Sequence, residues 1–231
     1  LNLTSFFKVK KNSKFSKARL GLINTAHGKI ITPSFIFCGT KATVKSVLPS
    51  QLKQARTQII LSNTYHLMLQ PGPEIISKEG GLQNFTDWNG PMMTDSGGYQ
   101  IFSLGYGSVS EEIKGKNNNT KRKSLIKINE DGASFRNYLN GDKVFLSPER
   151  SIELQRDFGA DLIFVLDECT PFNVSKKYTE KSMYMSHRWA TRCKNSFESK
   201  FKNYESTFGS SGKQSLYGII QGGVYEDLRK I

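Results

Sequence analysis

Cysteine is scarce in this chain. Its 231 residues include three, Cys38, Cys169 and Cys193, far apart in sequence and odd in number. That count argues against a disulfide framework and for a reducing, cytoplasmic compartment. Histidine is equally rare, with His27, His66 and His187. Neither type falls at zinc-ligand spacing, so no metal cluster is expected within the chain. No run approaches the roughly 20 apolar residues of a membrane-spanning helix, and no secretory leader is read. Acidic residues are also in short supply: 20 Asp and Glu stand against 33 Lys and Arg, a net charge of +13. A field of that sign favours a polyanionic partner, nucleic acid first, although a solvated lysine-rich surface gives the same count. The basic residues gather at 8–19, 114–127 and 188–202.

What the chain does contain is a repeated layout. In Met92-Met93-Thr94-Asp95-Ser96-Gly97-Gly98-Tyr99-Gln100 an apolar run ends in a carboxylate, a hydroxyl, two glycines and an aromatic ring. The stretch reads as a buried strand delivering Asp95 to a site whose glycine backbone admits a flat ligand, with Tyr99 offering a stacking face. An ordinary turn would account for it equally well, were it not repeated. Gln58 to Leu61 leads into Ser62-Asn63-Thr64-Tyr65-His66, and Asp161 to Leu166 into Asp167-Glu168-Cys169-Thr170-Pro171. Leu216 to Ile220 leads into Gln221-Gly222-Gly223, and Ser34 to Phe37 into Cys38-Gly39-Thr40. Continuous apolar runs of this length fit parallel strands buried on both faces.

Helical stretches lie between them, at 49–55, 74–79, 147–158 and 175–201. The third opens with Ser147-Pro148-Glu149, a start signal. The fourth spaces Tyr178, Met185, Trp189 and Phe197 at helical intervals. Strand, polar tip and helix in repetition predict an α/β fold. In a (β/α)8 TIM barrel chemistry collects at the C-terminal strand ends, where Asn63, Asp95, Asp167 and Gln221 fall. An open doubly wound sheet gives a similar pattern; the barrel is the preferred reading.

About five strand units are read, whereas such a barrel needs eight in roughly 250 residues or more. The chain begins at Leu1 and stops as Tyr225 to Arg229 begins to read as a helix. The expectation is one partial barrel domain over 1–231, the first five β/α units of a longer protein, and inactive by itself. Residues 105–129, polar, basic and without apolar periodicity, read as a loop insertion. His66 reads as a structural histidine, Cys169 as a pocket wall, Trp88 and Trp189 as packing residues. Glu168 is left open between a supporting group and a strand-end carboxylate.

The motifs 62–67, 94–100, 167–171 and 218–222, with Thr43-Val44-Lys45 and Leu146 to Ser151, resemble those of tRNA-guanine transglycosylases, in the same order from about Ala18 to Arg229. The resemblance implies a TIM-barrel pentosyltransferase of queuosine biosynthesis. Such an enzyme replaces guanine at the wobble position of tRNAs with a GUN anticodon by a 7-deazaguanine, preQ1 in bacteria, through a covalent ribosyl-enzyme intermediate. It implies roles too: Asp95 for the proton-handling aspartate, Tyr99 for the ring stacking on the base, and Ser96, Gly97 and Gly98 for the backbone around it. Asp167 and Gln221 match groups hydrogen-bonding the base edge, and Cys169 the bacterial preQ1-type pocket. A homodimer is implied for the full-length protein, as is an extruded nucleotide.

The chain also departs from that pattern. The family's nucleophilic aspartate and its structural zinc site, three cysteines and a histidine, lie later than this sequence reaches. Phe35-Ile36-Phe37-Cys38-Gly39-Thr40 stands where Met-Pro-Val-Gly-Thr is usual, and Gly223 where bacterial members often carry serine. Three rivals follow: an archaeosine-type transglycosylase, a non-catalytic tRNA-binding subunit of the same family, and an unrelated two-carboxylate glycosidase.

Overall fold

The computed structural model describes residues 6–100, 126–172, 174–201 and 214–231. In chain order its elements are β1 Phe7–Asn12, β2 Arg19–Thr25, β3 Gly28–Thr32, β4 Phe37–Cys38, α1 Pro49–Gln54, β5 Ile60–Ser62, α2 Thr64–Leu69, α3 Pro73–Lys78, α4 Leu82–Phe85 and β6 Met92–Thr94. After these come β7 Lys127–Asn129, β8 Gly132–Arg136, β9 Lys143–Leu146, α5 Pro148–Phe158, β10 Leu162–Phe164, α6 Lys176–Phe201, β11 Ser215–Tyr217 and α7 Glu226–Arg229. The chain divides into two compact units. Leu1–Asp95, Leu154–Ile163 and Phe201–Leu216 form the first; Ser96–Glu153, Phe164–Lys200 and Tyr217–Ile231 form the second.

The apolar runs become a sheet of order β11-β10-β6-β5-β4, with β4, β5, β6 and β10 paired in parallel. The α/β expectation is met at this level. Ile59, Ile60, Met92, Leu162 and Ile163 are all buried, as strands covered on both faces require. Hydrogen-bonded ladders are shorter than the apolar runs, so some expected bounds need correction. Of Ser34 to Phe37 only Phe37 enters a strand, and Phe35 is 73% exposed. Of Leu216 to Ile220 the strand holds Leu216 and Tyr217, while Ile220 is 74% exposed. Thr64, Tyr65 and His66, read as part of a polar tip, open the helix Thr64–Leu69, which buries Thr64, Tyr65 and Leu67.

Ahead of the parallel sheet lies one the sequence did not announce. β1, β2 and β3 form an antiparallel meander, with Phe7 opposite Ile23 and Ile23 opposite Ile30. It is anchored by the fully buried Asp161 side chain. One carboxylate oxygen accepts from the His27 backbone N–H (3.2 Å) and lies 2.9 Å from His27 Nδ1. The other accepts from Gln83 Nε2 (3.2 Å) and the Met92 N–H (2.9 Å). Burying a carboxylate is costly unless its oxygens are satisfied, and these four contacts come from the β2–β3 turn, α4 and β6.

The second unit holds the antiparallel sheet β7-β8-β9. Lys127–Asn129 is therefore a strand and not part of a loop; residues 105–125 of the expected insertion lie outside the described residues. Gly132 turns into this sheet at φ +151, where an added Cβ would sit 2.4 Å from the Leu146 carbonyl oxygen. Ser147 caps α5, its Oγ accepting from the Arg150 N–H at 3.1 Å. Helix α6 is bound by two guanidinium clamps. Arg192 donates twice to Glu149 at 2.7 Å, and Arg188 to Glu130 at 2.7 and 2.9 Å. Trp189 is buried, its Nε1 donating to the Glu130 carbonyl oxygen at 2.8 Å.

Candidate functional site

Asp95 follows the last residue of β6, in the first unit. Its carboxylate accepts from Asn63 Nδ2 at 2.6 Å and from the Thr64 N–H at 2.8 Å, and Thr64 Oγ1 donates to its carbonyl oxygen at 2.5 Å. Asn63 and Thr64 stand at the start of α2, immediately beyond β5, so parallel pairing of β5 with β6 brings the two strand ends together. The result is a carboxylate fixed in orientation, as proton transfer to a bound group demands. His66 lies one turn into α2, its ring edge-on to Tyr65. Burial first, then the Lys41 charge, hold its pKa below the ordinary 6.5, against a smaller pull from Asp95. His66 is thus a half-buried, neutral-leaning imidazole.

The other residues singled out belong to the second unit. Ser96 Oγ accepts from the Gly98 N–H at 3.2 Å, and the Ser96 carbonyl oxygen accepts from Ser151 Oγ at 2.8 Å. Gly97 takes φ +87, where a side chain is strained. Gly98 is required for a different reason: a Cβ there would lie 2.5 Å from the Asp167 carbonyl oxygen and 2.9 Å from its Oδ1. Asp167 in turn accepts from Gln221 Nε2 at 3.0 Å. Three motifs distant in sequence therefore meet as one cluster, Gly98, Asp167 and Gln221. A carboxylate beside a carboxamide offers acceptors and donors to a planar base edge. Tyr99 is half exposed, and Cys169 is a partly exposed thiol in no disulfide.

Two features were not read from sequence. Glu168 is buried, its N–H donating to Ser186 Oγ (3.0 Å) and its Oε1 accepting from Tyr178 OH (2.5 Å). These bonds pin the loop between Asp167 and Cys169 to α6. Cys193, also on α6, is fully buried between the Leu166 N–H and the Pro148 carbonyl oxygen. Burial pushes its thiol up to about 12, so it packs as an inert side chain. Among the described residues no three His, Cys, Asp or Glu side chains are placed to hold a metal ion, and no helix is long and apolar enough to cross a membrane.

Comparison with known proteins covers the same ground. The family profile described as queuine tRNA-ribosyltransferase matches residues 13–231. A protein of Roseiflexus sp. (strain RS-1) with that name is 41% identical over 229 residues, 99% of this chain and 57% of its own. One of Staphylococcus aureus (strain JH9), again so named, is 44% identical over 220 residues, 95% of this chain and 50% of its own. The chain thus spans about half the length of the curated relatives it matches. With a match running from the first antiparallel sheet to α7, the chain belongs to the queuine tRNA-ribosyltransferase family.

Proposed function

We propose that the protein containing this chain exchanges guanine at the wobble position of GUN-anticodon tRNAs for preQ1, in queuosine biosynthesis. The observation that supports it is the Gly98–Asp167–Gln221 cluster, a glycine packed against a carboxylate that a carboxamide holds, the polar groups a guanine-like base requires. A guanine edge presents N–H donors and one carbonyl acceptor. Asp167 takes the donors, and Gln221, oriented by its bond to Asp167, reads the mixed remainder. Tyr99 stacks on the base face, while Ser96, Gly97 and Cys169 surround the base.

The reaction divides into two displacements at the ribose C1′. A carboxylate oxygen supplied from outside this chain bonds to C1′ as the C1′–N9 bond breaks. The electron pair passes to N9, and Asp95 in its acid form gives the proton that lets guanine leave neutral. The incoming base returns its N9 proton to the Asp95 carboxylate as N9 bonds to C1′ and the enzyme–ribose C–O bond breaks. Asp95 ends as it began. The hydrogen bonds from Asn63 and Thr64 keep its oxygens aimed through both halves.

The five-stranded sheet is read as the first part of a (β/α)8 barrel in a single domain over 1–231, with residues 105–125 as a basic insertion. A structural zinc, if held as in the family, takes its ligands from outside the described residues. The full-length protein is read as a cytoplasmic homodimer. The test is incorporation: full-length protein, a GUN tRNA, and labelled guanine or preQ1. Label appearing in the tRNA at the wobble position is expected. Folded protein that leaves the tRNA unlabelled overturns the reading.

A further inference from the structure

The charge of this chain is not spread evenly. Of its 33 Lys and Arg, 11 precede Glu74, the first acidic residue, and the remaining 22 face all 20 Asp and Glu. Nearly the whole excess of +13 therefore resides in the first third. A general lysine bias would have raised both parts alike. Its densest stretch is the β1–β2 hairpin, where Lys8, Lys10, Lys11, Lys14 and Lys17 are all exposed and no Asp or Glu intervenes. Among the described residues no ion pair engages any of the five. Arg19 is set apart, since its guanidinium lies over the Phe7 ring at 5.6 Å.

The backbone arranges these charges. The register slips between Val9 and Lys11, so that Lys8 lies opposite Leu22 and Lys11 opposite Leu20. Leu20 and Leu22 share a face, and the bulge therefore puts Lys11 on the same face as Lys8. Ile31, opposite Leu22, is 53% exposed and continues that face to β3. At the hairpin tip Ser13 and Ser16 accept from the Phe15 and Ala18 N–H groups, at 3.1 and 3.2 Å. The turn so held presents Phe15 at 97% exposure. An unburied phenylalanine ring among uncompensated lysines is the composition of a surface for looped or single-stranded nucleic acid, where cations follow the backbone and rings take bases.

We infer that the β1–β2 hairpin is an RNA-binding surface, its lysines neutralising backbone phosphates and Phe15 stacking on an unpaired base. β1 alone, six residues long, runs for about 20 Å, a length over which RNA presents several phosphates. A flat membrane would need the lysines in one plane, whereas here they occupy a strand face, its bulge and the tip. The surface uses no residue of the Gly98–Asp167–Gln221 cluster, and the inference does not depend on base exchange.

The test is binding of an unmodified tRNA transcript by the full-length protein, followed by fluorescence anisotropy across a salt series. The Lys8→Ala/Lys11→Ala/Lys14→Ala variant should weaken binding at least tenfold and flatten the slope of log K against log salt by about 2 to 3. The matching triple Lys→Arg variant should restore both. Phe15→Ala should weaken binding about 5- to 150-fold with the slope unchanged. Turnover at saturating tRNA should stay as it is in all three, so a failed exchange assay and a failed binding assay are told apart. Unaltered affinity and slope in the triple alanine variant would overturn the inference. So would lost solubility alone, the mark of lysines that merely guard an edge strand, or lost binding to phosphatidylserine vesicles with tRNA binding intact.

Discussion

Single atoms decide what Asp95 and Gly98 can do. Asp95 accepts from two donors, Asn63 Nδ2 and the Thr64 N–H. In Asp95→Asn one of those acceptors becomes an NH2 group, and it meets the Asn63 amide donor to donor unless Asn63 flips. The proton-accepting oxygen is lost in either case. Turnover in base exchange should fall roughly 10²-fold or more, with the melting temperature little moved if Asn63 flips. Wild-type turnover would remove Asp95 from the chemistry. Gly98→Ala acts on binding instead. Its Cβ would press within 2.5 Å of the Asp167 carbonyl oxygen, and an overpacked contact of that kind costs about 1–3 kcal/mol. Asp167 moves, so the KM for the free base should rise more than kcat falls. An unchanged KM would mean that this glycine does not shape the proposed base site. The two variants separate proton transfer from base recognition, which no loss of total activity could do.

Elements differ in how openly their sequence declares them. Helix α5 is announced by Ser147-Pro148-Glu149, and the structure shows why: Ser147 Oγ accepts from the Arg150 N–H. The Ser147→Ala variant should lose about 1 kcal/mol of stability, read as a lower denaturation midpoint at constant slope; an unchanged midpoint would deny the cap. Helix α6 was legible from the apolar spacing of Tyr178, Met185 and Trp189, and the parallel strands from their apolar runs. β1 was not. Its pattern is alternate lysines exposed on both faces, and such a strand carries no burial signal: its partner β2 supplies the order. The same limit governs the site. Strand-end position drew attention to Asp95, Asp167 and Gln221, but nothing local tells that Asn63 and Thr64 hold Asp95. Nor does it tell that Tyr178 holds Glu168, or that Asp161 reaches His27 across 134 residues. Hydrogen bonds between distant residues become visible only once the strands are paired.

At the scale of the whole molecule, charge links stability to pH. Glu149 is held below its ordinary carboxyl value of 4.5, chiefly by its hydrogen bond from Arg192 and against the opposing effect of burial. Glu130 is lowered likewise by Arg188, and Asp227 by Lys176. A carboxyl depressed on folding gives its full stabilisation above its unfolded value and loses it as the pH falls through the lower folded one. These clamps therefore act fully at neutral pH and begin to fail below about pH 4.5. A second effect has the same sign. As Asp and Glu take up protons, the net charge climbs from +13 towards the +33 of Lys and Arg alone, and self-repulsion of the folded state grows with it. The melting temperature should hold steady from pH 7 to 5 and drop increasingly from pH 4.5 to 3. Glu149→Gln separates the two causes, because it removes one clamp but scarcely alters the acid-limit charge. The variant should melt lower at pH 7 and show a smaller further drop on acidification, the two curves converging near pH 3. Parallel curves would assign the acid loss to repulsion alone and strip the Arg192–Glu149 clamp of its role.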